Sequence, residues 1–198
     1  MRRFVQKFCA SKTPIPASFF FVGVIGMFAG MLNPGLALGL TGDLTNDPAD
    51  IIKKYLSLDK RGARLQALSY EAVRPYVAWD EEPPWGQVVI VGDYEVSDDI
   101  EEWDIISSTE AVIPVTFQIL GVMHWEAATF LPEKREETIL FRVRAVLNHW
   151  RIIGPMFPPH VGRKRLKDFV RAAMLEETDE GRKAALQRLS TSIGNAKS

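Results

Sequence analysis

The chain has 198 residues, with 24 Lys and Arg against 25 Asp and Glu and a single cysteine. An apolar fraction of 46% and a charged fraction of 25% match an ordinary globular protein. Disordered, collagenous and disulfide-stapled chains are excluded, and the near-neutral balance argues against a dedicated nucleic-acid binder.

The first forty residues differ from the rest. Arg2, Arg3, Lys7 and Lys12 give a positive start without an acid, and an apolar run follows from Ile15 to Leu32. Asn33-Pro34-Gly35 breaks the run, and small residues follow to Gly39. This order is that of a secretory signal over residues 1–39. The alternative is a retained anchor at 15–32, which is at the lower edge of what spans a bilayer. Cys9 precedes the apolar run, so it is not placed for lipid attachment. Removing 1–39 leaves 20 basic and 25 acidic residues and no cysteine. That composition suits a bacterial periplasmic or extracellular protein, with contact to a membrane only if the segment is not cleaved.

From residue 40 the chain reads as helices, then strands, then helix. Asp47-Pro48 with Asp50 starts a helix, and Ile51, Ile52, Tyr55 and Leu56 recur at helical spacing. Asp59 reads as the cap of a second helix over 60–68, and a short third runs from Ser69 to Arg74. Trp79 to Gly86, with Glu81-Glu82-Pro83-Pro84, is a loop. The period then becomes two. Strands are expected over 87–96 and 103–106, and a long one runs from Ala111 to about Phe130, bent at Gly121. Leu131 to Lys134 reads as a turn before an alternating strand carrying Ile139, Phe141, Val143 and Ala145. Leu147-Asn148-His149 is a hairpin turn into a strand at 150–153. Leu166, Phe169, Val170, Ala173 and Met174 mark an amphipathic helix, with a helical tail over 179–198 carrying Ala185 and Leu189 inward. The expected class is α+β: N-terminal helices packed in a strongly curved antiparallel sheet, then a C-terminal helix, over 40–178.

Three stretches resemble the NTF2-like superfamily, in its uncharacterised secreted bacterial branch. They are Tyr55-Leu56 with Asp59 to Leu65, Ala111 to Gly121, and Phe141-Arg142-Val143 leading to Trp150 to Pro155 and Pro158 to Val161. The resemblance implies a cystatin-like α+β cone with one open mouth. It also implies a family holding both binding modules and acid–base enzymes of the SnoaL and ketosteroid-isomerase type. Members often pair through the outer sheet face.

The candidate site residues are few. Tyr94 shares parity with Val88 and Ile90 and is expected to point inward. His124 and Glu126, two apart on one strand, are the acid–base candidates, with Tyr94. Tyr94, Trp79, Trp85 and Trp125 are the ligand-binding candidates: the Tyr94 hydroxyl can bond a ligand, and tryptophans near the mouth suit a small apolar or aromatic one. His124, His149 and His160 lack ligand spacing, so no metal or other cofactor is implied. Thr116, Gln118, Arg142 and Arg144 share the outer face, which is a surface for a homodimer. Arg163, Lys164, Arg165 and Lys167 form a basic run at a helix start, where positive charge is disfavoured. The function expected is an exported, non-catalytic module binding a small ligand or a partner protein in the cell envelope. The alternatives are a small acid–base enzyme and a purely structural dimerisation module.

Overall fold

The computed structural model describes residues 47–196. The signal or anchor expected in residues 1–39 lies outside them. Asp47 accepts a hydrogen bond from the Ala49 N–H at 2.9 Å and caps helix α1, Pro48–Lys60. Ile52, Tyr55 and Leu56 form its buried stripe. Residues 61–66 form turns rather than the expected second helix. Gly62 takes a left-handed φ of +81° and ends α1. Asp59 is a buried member of the last turn rather than a cap. Two short 3-10 turns, Ala67–Ala72 and Arg74–Tyr76, stand where the third helix was expected.

Among the described residues, six strands make one sheet: β1 Gln87–Val96, β2 Asp104–Ser107, β3 Glu110–His124, β4 Thr129–Val146, β5 His149–Gly154 and β6 His160–Gly162. The order is β5-β4-β3-β1-β6, with β2 pairing the start of β3. All pairs are antiparallel except β1 with β6, a short parallel ladder that the sequence reading missed. Its three residues are too few for alternation to be visible. Leu147 and Asn148 both have positive φ, as the tight β4–β5 hairpin requires.

The sheet is strongly curled, and bulges help to curl it. The β1–β3 register slips around Gly92, and the β3–β4 register slips between Ile119 and Gly121. The expected turn at Leu131 to Lys134 is instead strand. Pro132, which has no N–H to donate, sits opposite Gly121 at the bulge, where the ladder is already broken. The real turn lies earlier, at residues 125–128, with Ala128 at φ +49°.

Two apolar layers cover the sheet. Ile52, Tyr55 and Leu56 of α1 pack with Val89 and Val91 of β1, Ile113, Val115 and Phe117 of β3, and Phe141 and Val143 of β4. Beyond Gly121 the other face is covered. Val88, Ile90, Leu120 and Met123 pack against Leu166 and Val170 of α2, Arg163–Glu176, and Leu186, Leu189 and Ile193 of α3, Glu180–Asn195. Burial on both faces explains why Val88 to Val91 form an unbroken buried run. Among the described residues, no helix is long and apolar enough to cross a membrane.

A Cβ on Gly121, at φ +152°, would lie 2.3 Å from the Leu131 carbonyl oxygen and 2.6 Å from the Phe130 ring. One on Gly92 meets nothing nearer than 3.6 Å. Gly121→Ala is therefore expected to lose about 2–4 kcal/mol in urea unfolding, and Gly92→Ala less than about 1 kcal/mol. Equal losses would show that the Gly121 bulge is not a tight constraint.

Candidate functional site

The chemistry of the domain gathers where the end of α1, the Trp79 to Gly86 loop and the segment before β6 meet. Arg64, two residues beyond Gly62, turns inward until its side chain is only 1% exposed. Its Nη1 donates to Asp59 Oδ2 at 3.0 Å, its Nε to Glu82 Oε2 at 2.9 Å, and its Nη2 to the Phe157 carbonyl at 2.6 Å. The guanidinium also lies 5.8 Å from the Tyr55 ring centre and 5.4 Å from that of Phe157. Trp79 and Trp85 donate their indole N–H groups to the two oxygens of Glu82, at 3.3 and 3.2 Å. One loop carboxylate thus receives a guanidinium and two indoles.

Asp59 is fully buried. Its Oδ2 accepts both Arg64 and the His160 backbone N–H, the latter at 2.9 Å, while Oδ1 has no hydrogen-bond partner among the described residues. Burial raises its carboxyl to about 6, against the opposing pull of Arg64 and the His160 N–H. His160 is buried between the rings of Phe117 and Phe157, 4.7 and 4.9 Å away. Its Nδ1 lies 2.7 Å from the Pro158 carbonyl, which can only accept, so Nδ1 carries the proton. Burial lowers the ring to about 4, and it is neutral near pH 7.

Above this cluster opens a pocket of about 350 Å³. Tyr70, Pro83, Trp85, Trp125 and Phe169 give it aromatic and apolar walls, and Arg64 and Glu82 reach its edge. It lies where the two apolar layers meet, since Tyr70 packs on one and Val88, Met123 and Phe169 belong to the other. Trp125 is fixed by Phe169, at 5.1 Å between ring centres, and by the Arg182 guanidinium 5.3 Å from its ring centre. Arg182 also donates to the carbonyls of Trp125 and Glu126.

The structure brings together some of the expected residues and separates others. Trp85 and Trp125 line one pocket. Trp79 reaches Glu82 but lines a different surface cleft, with Arg74 and Arg151. Tyr94 packs against the α1-covered layer, with its ring 6.2 Å from that of Phe117 and Lys60 Nζ 5.4 Å from its centre. It points inward, but the Gly92 bulge gives it the parity of Val89 and Val91, not that of Val88 and Ile90. His124 is the last residue of β3 and Glu126 lies in the turn beyond it, so strand alternation does not place them on a common face. Tyr94 pairs opposite Phe117 and His124 opposite Gln87, far apart along β1, so the structure does not join Tyr94 to the His124 end. Thr116, Gln118, Arg142 and Arg144 do share the face away from α1. Thr116 hydrogen-bonds Thr138 at 3.1 Å, and both arginines converge on Glu110. Asp59, Arg64 and Glu82 escaped the sequence reading because no spacing signals a contact made across a loop. The only available hint was an acid and a base five residues apart around Gly62. Among the described residues, no group of three or more His, Cys, Asp and Glu side chains is disposed to hold a metal ion.

No family model, curated protein or solved structure matches this chain.

The two shifted groups act in opposite directions on stability. The folded Asp59 carboxyl takes up its proton at higher pH than the unfolded one, which adds stability as pH falls from 6 toward 4. His160 is protonated in the unfolded chain below about 6.5 but in the folded one only near 4, which removes stability over the same range. The wild type is therefore expected to be nearly flat between pH 6.5 and about 5, whereas Asp59→Asn loses about 1.5 kcal/mol over that range. Urea unfolding across the range checks this, and parallel profiles for the two proteins would contradict it.

Proposed function

We propose that this domain is an exported, non-catalytic binding module of the NTF2-like kind, holding a small, flat, mainly apolar ligand in the pocket beside Trp85. The observation that carries the reading is the pocket's composition. Aromatic walls from four separate segments line about 350 Å³, and the polar groups Arg64 and Glu82 also line it. Such walls stack a planar body, and Glu82, whose carboxylate has room for one further donor, would fix its orientation. The reading as a binder rather than an acid–base catalyst is supported by the way the charges are used. Glu82 already accepts three donors, and Asp59 is sealed behind Arg64 and does not line the pocket. Export to the cell envelope rests on the signal-like order of residues 1–39 and on the absence of cysteine from the rest of the chain.

A thermal-shift screen against a metabolite library tests the proposal. A bound compound at about one hundred times its Kd is expected to raise the melting midpoint by about 5 °C or more. Trp85→Ala is expected to abolish the shift, whereas Tyr94→Phe, outside this pocket, leaves it intact. No shift with any compound, or a shift that survives Trp85→Ala, would overturn the assignment.

A further inference from the structure

A second recess lies away from the aromatic pocket and has the opposite chemistry. It is a groove of about 820 Å³ between the end of α1, the start of α2 and the middle of β1. Lys60 and Arg61 come from the α1 side, and Arg163, Lys164 and Arg165 from α2, a hundred residues later in the chain. Against these five cations stand the carboxylates Asp93 and Asp168. Asp93 is taken by Lys60 at 2.8 Å. The other four cations have no carboxylate partner among the described residues. Arg165 donates its Nε to the Arg61 carbonyl at 3.2 Å, and Arg163 donates to the Ala196 carbonyl. These bonds orient the two guanidiniums without cancelling their charge. Arg61 and Lys164 are exposed, and no hydrogen bond or ion pair engages either side chain among the described residues.

This concentration of charge is unfavourable as it stands. Three consecutive cations occupy the first turn of α2, where the helix is already positive, in a domain whose overall charge is negative. A local choice that opposes stability marks a functional position. The floor of the groove is not polar: Val91 and Leu120 form part of it, and Gly92 keeps it open. We propose that this groove binds a phosphate group carried on an apolar body. Guanidinium forks match phosphate oxygens in pairs, Lys164 adds a point charge, and the Val91–Leu120 floor receives the apolar part. The source is either a free phosphorylated metabolite or the headgroup of an anionic lipid. The site is separate from the aromatic pocket and stands or falls independently of it.

The test compares the full chain with its Arg61→Gln/Lys164→Gln double variant. Both substituted side chains are exposed and unbonded, so the melting midpoint should not change. If Arg61→Gln lowers it, Lys164→Gln alone is used. The first arm titrates inorganic pyrophosphate by calorimetry. The second measures flotation with phosphatidylglycerol vesicles, and phosphatidylcholine vesicles correct for any contribution from residues 15–32. Pyrophosphate binding that weakens about tenfold or more in the variant supports the site with a soluble ligand. Absent pyrophosphate binding, together with a phosphatidylglycerol preference that the variant loses, supports it with a lipid headgroup. Binding in neither arm, or binding that the variant leaves unchanged, overturns it.

Discussion

One buried guanidinium sets the arrangement of this domain. Arg64 joins the last turn of α1 through Asp59, the tryptophan loop through Glu82, and the approach to β6 through the Phe157 carbonyl. Burying such a charge is costly unless every donor direction is met. Here two carboxylates, a carbonyl and two aromatic rings surround it. Removing any one of these partners would leave charge stranded in an apolar setting, which makes the three segments interdependent. The His160 N–H on Asp59 extends the linkage to β6, and the indoles of Trp79 and Trp85 extend it along the loop.

The sheet makes this convergence geometrically possible. Without the slips at Gly92 and Gly121, one face of β1 and β3 would run unbroken along its length. With them, α1 is served by Val89, Val91 and Phe117, and α2 with α3 by Val88, Ile90, Leu120 and Met123. The aromatic pocket opens at the boundary between these layers. The basic groove opens at the register slips, beside Gly92 and Leu120. The contents of the two recesses are opposite: stacked rings in one, uncompensated cations in the other.

The regular parts of the fold were legible from sequence. The Asp47-Pro48 cap and the Ile52–Tyr55–Leu56 stripe predict α1, and the alternation from Ala111 to Phe117 and from Ile139 to Ala145 assigns the inner face of β3 and β4. The hairpin at Leu147-Asn148 follows from its turn residues. The errors fall at bulges and loops. Pro132 reads as a turn because a proline in a strand is unfavourable unless a broken ladder faces it, and that breakage is a property of the partner strand. Simple alternation gives Tyr94 the parity of Val88 and Ile90, whereas one extra residue at the bulge inverts the count and sets it with Val89 and Val91. The site was half legible. Trp85 and Trp125 stand out as aromatics near the expected mouth, whereas Asp59, Arg64 and Glu82 are joined only by tertiary contact. Asp59 looked like a cap because an aspartate before a polar helical run has that local signature.

Arg64 holds three segments through the shape of its side chain as well as its charge. Arg64→Lys tests this most directly, because lysine keeps the charge but cannot reach Asp59, Glu82 and the Phe157 carbonyl at once. Urea unfolding, read together with tryptophan emission, to which Trp79 and Trp85 contribute two of five indoles, is the measurement. Arg64→Lys is expected to lose about 3 kcal/mol or more and to red-shift the emission as the loop separates from its anchor. Wild-type stability with unchanged emission in Arg64→Lys would contradict it.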